Sequence, residues 1–176
     1  MEMTKIEDMS EQERQSWTTL FADVSVFTLF LGKMMSGKTV NNFSAGELVG
    51  VYIYVIVATI IIHSVIASIF AARRVKITRG VMGAEDAIAI GMQIGVAEND
   101  ERDIEIERKG ARNGFWVVSI LINVIIFTLL VENSVGGDYM GPLSVLEPSH
   151  MFLALLSSMF LGDIVYRGTM VLAYRG

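Results

Sequence analysis

Four long apolar runs constrain this chain more than anything else in it. They are SWTTLFADVSVFTLFLGKMM (residues 16–35), LVGVYIYVIVATIIIHSVIASIFA (48–71), GFWVVSILINVIIFTLLV (114–131) and HMFLALLSSMFLGDIVYRGTMVL (150–172). At 1.5 Å rise per residue, each covers roughly 27–36 Å as a helix, enough for a hydrocarbon core of about 30 Å. The expected fold is therefore all-α: one integral membrane domain over residues 1–176, a bundle of four transmembrane helices. A charged helical segment, residues 72–113, lies between spans two and three. Composition agrees, since 52% of the 176 residues are hydrophobic and only two are proline, more apolar than a soluble domain of this size.

Helix starts are marked by S-x-x-E capping boxes, Ser10 to Glu13 and Ser44 to Glu47. Orientation follows from lysine and arginine, which are retained on the cytoplasmic side. Lys5 and Arg14 precede span one, eight basic residues lie between residues 72 and 113, and Arg167 and Arg175 close the chain, against only Lys33 and Lys38 in the opposite loops. Both termini and the 72–113 segment are thus expected in the cytoplasm. The acidic N-terminus lacks the basic stretch and small-residue cleavage site of a secretory signal, so span one is expected to stay attached.

Residues 32–39, GKMMSGKT, satisfy the phosphate-loop pattern G-x-x-x-x-G-K-[ST]. That chemistry needs a buried strand before the loop and a helix straight after it. Here a membrane-length run precedes it and VNNFSAGE follows, on the outer face, so the stretch reads as a helix exit. The chain has no cysteine, no H-E-x-x-H, no G-x-S-x-G and no lysine deep in a span for a Schiff base, so it reads as non-catalytic. A net charge of −5 does not suggest nucleic acid. The expected partners are the bilayer and either a further copy of the chain or another protein, and no cofactor is expected.

The segment between spans two and three has three parts. RRVKITRG is a basic collar suited to topology and anionic headgroups. VMGAEDAIAIGMQIGVAEN permits either an interfacial helix or a β-hairpin. NDERDIEIERKGARNGFW permits a salt-bridged helical stem rising into span three, with Glu105, Arg108 and Arg112 as neighbours on one face and Glu101 and Glu105 on another. Asp100, Glu101, Arg102, Asp103, Arg108 and Arg112 are the candidate partner-binding residues of that stem. Gly110 and Gly114 form G-x-x-x-G where it meets the membrane, and Ala154, Ser158 and Gly162 form a small-residue stripe in span four, both suited to close helix approach.

The stretch DERDIEIERKGARNGFWV, together with two later spans ending in AYRG, resembles an uncharacterised family of small bacterial four-helix membrane proteins. The resemblance implies a plasma-membrane protein, makes Asp100, Glu101, Arg102, Asp103, Arg112, Tyr174, Arg175 and Gly176 motif positions, and carries no assigned activity.

Polar groups inside spans cost a few kcal/mol each unless paired or hydrated, so they mark either structure or function. Counting from each span's inner end puts Asp23 at a depth of about 10 Å, His63 at about 12 Å, and Asn123 and Asp163 at about 14 Å. One reading is a satisfied buried cluster in which Asp163 pairs with Arg167. The other is a proton or cation site, with Asp23 and Asp163 titrating, His63 relaying and Arg167 tuning, lining a shared hydrated cavity. Haem on His63 with Met159 is a third, weakly marked reading, and His150 is too far out to join it. Tyr52, Tyr54, Trp17 and Trp116 fit interfacial belts. Two functions remain: an interaction or regulatory module acting through the stem, or a small proton- or cation-coupled transporter.

Overall fold

The computed structural model describes residues 11–36, 43–81, 100–135 and 147–175. These form four helices: α1 (Glu11–Met35), α2 (Ala45–Val81), α3 (Glu101–Val135) and α4 (Pro148–Arg175). Each is long and apolar enough to cross a membrane. The N-terminal tail with Ser10, the residues from Gly37 to Asn42 with Lys38, the segment 82–99, the loop 136–146 and Gly176 lie outside the described residues. So does most of the expectation attached to each of them.

Two helices are much longer than a bilayer core needs. The 37 residues of α2 and the 35 of α3 measure about 55 and 52 Å. The excess of α3 is the charged stem, which runs unbroken from Glu101 into the apolar run. Glu101 and Asp103 sit in its first turn, where carboxylates complement the helix dipole. At the start of α2 the capping box is formed as its spacing predicts: the Ser44 backbone N–H donates to Glu47 Oε2 at 2.8 Å, and the Glu47 N–H donates to Ser44 Oγ at 3.3 Å.

The helices pack as an open row in the order α2, α1, α4, α3. Helix α4 lies between α3 and α1, and α2 packs on α1 while barely touching α4. The end helices consequently keep broad apolar faces exposed, including Ile53, Ile60 and Ile61 on α2 and Phe115, Phe127 and Leu130 on α3. Their Ser and Thr hydroxyls donate back to carbonyls one turn earlier, as in Ser64 to Ile60 and Thr128 to Val124, so those faces carry few unsatisfied groups.

Two different kinds of packing hold the row. At the end where α1 finishes and α4 starts, Phe30 is fully buried with Val26, Met34, Val51 and Val55. Phe152 meets Phe30 edge-on at 6.1 Å, and Phe160 stacks on Phe30 at 6.1 Å and lies tilted against Phe27 at 5.5 Å. Between α3 and α4 the contact is backbone to backbone. A Cβ on Gly114 would lie 2.8 Å from the Gly162 carbonyl oxygen, one on Gly110 would lie 2.9 Å from the Tyr166 carbonyl oxygen, and one on Gly162 would collide with Val118. Only glycine lets these two helices come so close. Gly162 of the stripe therefore belongs to this intrachain contact, while Ser158 lies buried one turn away and donates to the Ala154 carbonyl.

That register corrects one expectation. Gly114 abuts Gly162, so Asp163 stands level with the start of the apolar run of α3, and Asn123 lies nine residues, about 13 Å, beyond it. Asn123 does not share the level of Asp163. It is exposed, and its side-chain amide donates to the Ser119 carbonyl of its own helix.

Candidate functional site

Polar side chains gather in two places. The first is the α1/α2 contact, where His63 Nε2 lies 3.3 Å from Asp23 Oδ1. Asp23 is only 8% exposed because it falls on the same face of α1 as Ser16, Val26 and Phe30, at helical spacing. His63 is held from its own helix, with Nδ1 2.9 Å from the Thr59 carbonyl oxygen. The charges of Asp163 and Arg167 on α4 also act on Asp23. Asp163 itself is an exposed residue on α4.

The expected Asp163–Arg167 ion pair does not form within 4.0 Å. The guanidinium of Arg167 instead lies 4.4 Å over the Tyr166 ring, with one nitrogen 4.0 Å from Met170 Sδ. A cation stacked on a ring and a thioether leaves Asp163 the Coulomb field of Arg167 without a direct bond. A haem on His63 is likewise poorly served, since an axial bond would need Nε2, which faces Asp23. Met159 points away from the row, 62% exposed. Among the described residues no three His, Asp or Glu side chains group as metal ligands.

The second place is the opposite end of the row from the aromatic core, where the start of α1, the stem of α3 and the last turns of α4 converge. The Tyr174 hydroxyl lies 2.8 Å from Asp103 Oδ1 and 3.0 Å from Gln12 Oε1. A phenol has one proton, and the carboxylate is the stronger acceptor. Tyr174 therefore donates to Asp103, and Gln12 completes the pair when its amide nitrogen faces the phenol oxygen. One face further along, the Tyr166 hydroxyl donates to Glu107 at 3.4 Å and the Asn113 amide to Thr169 at 3.3 Å. Arg175 covers the Trp17 ring at 4.8 Å and approaches Glu13 at 3.8 Å.

The stem is therefore docked rather than free-standing. Asp103, Ile106, Glu107, Gly110 and Gly114 recur at spacings of three and four and make one stripe against α4. Among the described residues, Glu101, Glu105, Arg108 and Arg112 form no ion pairs with one another within 4.0 Å. The charges that would have laced the stem stay on its outward face, while Asp103 and Glu107 are bound by tyrosines of α4. The sequence does not mark Gln12 or Tyr166, and it marks Glu13 only as a capping residue. The available signal was Tyr166 and Tyr174, eight residues apart on one face of α4, together with Asp103 and Glu107, four apart on one face of the stem.

A groove of about 540 Å³ lies beside this junction, lined by Arg102, Ile106, Lys109, Asn113, Thr169 and Leu172 among others. Comparison with known protein families, with curated proteins and with solved structures finds no match for this chain.

Proposed function

We propose that the chain is a non-catalytic multi-pass membrane protein that works as an interaction module, with its termini and stem in the cytoplasm. The observation that carries this reading is the one-sided docking of the stem. One face is fixed to α4 by Tyr166, Tyr174 and two glycines, and the other presents Glu101, Ile104, Glu105, Arg108 and Arg112 outward. A rigidly held helix with an exposed apolar residue among unlaced charges is a surface prepared for a partner, because little ordering entropy remains to be lost on binding.

The charge order favours a partner other than a second copy. The stem is acidic at its far end and basic near the membrane. Two copies side by side in one bilayer would set Glu101 level with Glu101 and Arg112 level with Arg112, which repels. A charged helix of another protein running the opposite way pairs both ends.

The test is a photo-crosslinking amino acid at position 104 in native membranes. A defined crosslinked species is expected, abolished by E105K with R108E and R112E, and unchanged by Asp23→Asn or Asp163→Asn. Loss of the species with those two Asn variants, and not with the stem reversals, would overturn this reading. The second reading, a small proton- or cation-coupled transporter, is favoured by the Asp23–His63 contact, and proton flux into vesicles tests it separately.

A further inference from the structure

We propose that Asp23 and His63 form a binding site for a single proton, held between α1 and α2. The proposal goes beyond the interaction module. Transport would need a site of this kind, but the site rests on the geometry of the pair alone.

The argument begins at Thr59. Its carbonyl oxygen can only accept, so the Nδ1 that stands 2.9 Å away carries a hydrogen. The direction of that carbonyl is set by the helix, and the Thr59 hydroxyl is itself occupied with the Val55 carbonyl at 2.8 Å, so nothing local reverses the arrangement. In a neutral imidazole with hydrogen on Nδ1, Nε2 has a lone pair.

That nitrogen faces Asp23 Oδ1 at 3.3 Å. A lone pair against an ionised carboxylate oxygen is repulsive, so the contact requires one more proton. It can sit on Nε2, giving imidazolium beside carboxylate, or on Oδ1, giving a carboxylic acid that donates to imidazole. The two forms differ only in the position of the same proton, and the titration belongs to the pair rather than to either residue. Loaded, the pair has no net charge. Unloaded, it carries one negative charge between two apolar helices.

The surroundings fit such a site. From α4, Asp163 and Arg167 act on Asp23 with opposite signs. The His63 ring is about one-third exposed and the Asp23 side chain 12% exposed, so the imidazole is the more accessible half of the pair. His63 directly follows Ile62, which packs against the aromatic core, so loading adds a polar tie at the stem-side edge of the α1/α2 contact.

The experiment uses the full chain in lipid bilayers with ring-15N histidine, read by solid-state NMR across about pH 5 to 9. Only two histidines occur, and His150→Gln assigns His63. Nδ1 is expected to stay protonated throughout. Nε2 is expected to change from a protonated or strongly hydrogen-bonded nitrogen to a bare lone pair in one step, taking up one proton per chain. Asp23→Asn, whose amide can hold the contact but cannot share the proton, is expected to move that step by at least about one pH unit. A neutral tautomer with hydrogen on Nε2 would overturn the proposal, as would an unchanged step in the Asn variant. If that variant fails to fold, 15N–13C dipolar coupling between Nε2 and the Asp23 carboxyl in the unaltered chain decides instead, and its absence at the low-pH end overturns the proposal. A positive result without vesicle proton flux leaves the site standing and removes only the transporter reading.

Discussion

The Tyr174 hydroxyl donates to Asp103 across 2.8 Å, tying the last turn of α4 to the first turn of α3. Because the acceptor is a carboxylate, the bond is of the stronger kind, with a net worth of roughly 1.5–3 kcal/mol when shielded from water. Tyr174→Phe keeps the ring and removes only the donor, so it isolates that contribution. The expected outcome is a lower thermal midpoint and faster protease cleavage within the stem. Asp103→Asn, whose amide oxygen still accepts, is expected to cost less than half as much. Equal stability of Tyr174→Phe and the parent chain would show that this bond does not hold the stem.

That glycine contact is the second expectation. Gly114→Ala sets a Cβ 2.8 Å from a backbone oxygen of Gly162, and backbone cannot rotate away as a side chain can. The helices must separate, at a cost of roughly 1–3 kcal/mol typical of overpacking. Gly168→Ala is the control, since nothing lies within 4 Å of its Cβ, and it is expected to be neutral or to stabilise by up to about 1 kcal/mol. Thermal unfolding in detergent, followed by circular dichroism, reads both. Similar midpoints for the two variants would contradict the close α3/α4 approach.

The helices were legible in the sequence because bilayer thickness sets the length of an apolar run, and Ser44 with Glu47 fixed the start of α2 through local chemistry alone. Depth was harder to read. Counting inward from each run's own polar boundary assumes that the four boundaries lie in one plane. They do not: the polar stem of α3 packs alongside α4 from Tyr166 onward, where residues up to Leu172 still belong to an apolar run. Asn123 was therefore placed level with Asp163, and the packing separates them. Asp23 and His63 lie on neighbouring helices of the row, where the same counting introduces no such offset. Arg167 left its expected i, i+4 partner for the Tyr166 ring, a competition that spacing cannot resolve because both choices lie within reach of one flexible side chain.

Topology is tested directly, since the natural chain has no thiol background. Single cysteines replacing Thr39 and Glu105 are expected to react with a membrane-impermeant maleimide from opposite sides: position 39 in intact cells, position 105 only after permeabilisation. The twelve basic residues expected on the inner side make this orientation strongly favoured. Labelling of position 105 in intact cells would invert the arrangement and place the stem outside.

The two tryptophans offer a last test, of which faces meet lipid. Trp116 projects from the outer face of α3 and is 60% exposed. Trp17 is part-buried, stacked on Phe21 at 5.4 Å and covered by Arg175 at 4.8 Å. Ser16 touches Met170, and Gly114 and Val118 both meet Gly162, so Trp116 lies about eight residues of α4, roughly 12 Å, deeper than Trp17, and each is read with bromines placed at its own depth on the lipid so that only their surroundings differ. Single-tryptophan chains made by Trp17→Phe and Trp116→Phe, reconstituted in bilayers of brominated lipid, are expected to quench unequally. The chain retaining Trp116 should lose several-fold more emission than the one retaining Trp17. Removing the cover by Arg175→Gln is expected to raise the quenching of Trp17 toward that of Trp116, because the guanidinium shields the indole face. Equal quenching in the two starting chains would mean that α3 is covered by something other than lipid, and a second protein chain against its exposed face is then the arrangement to look for.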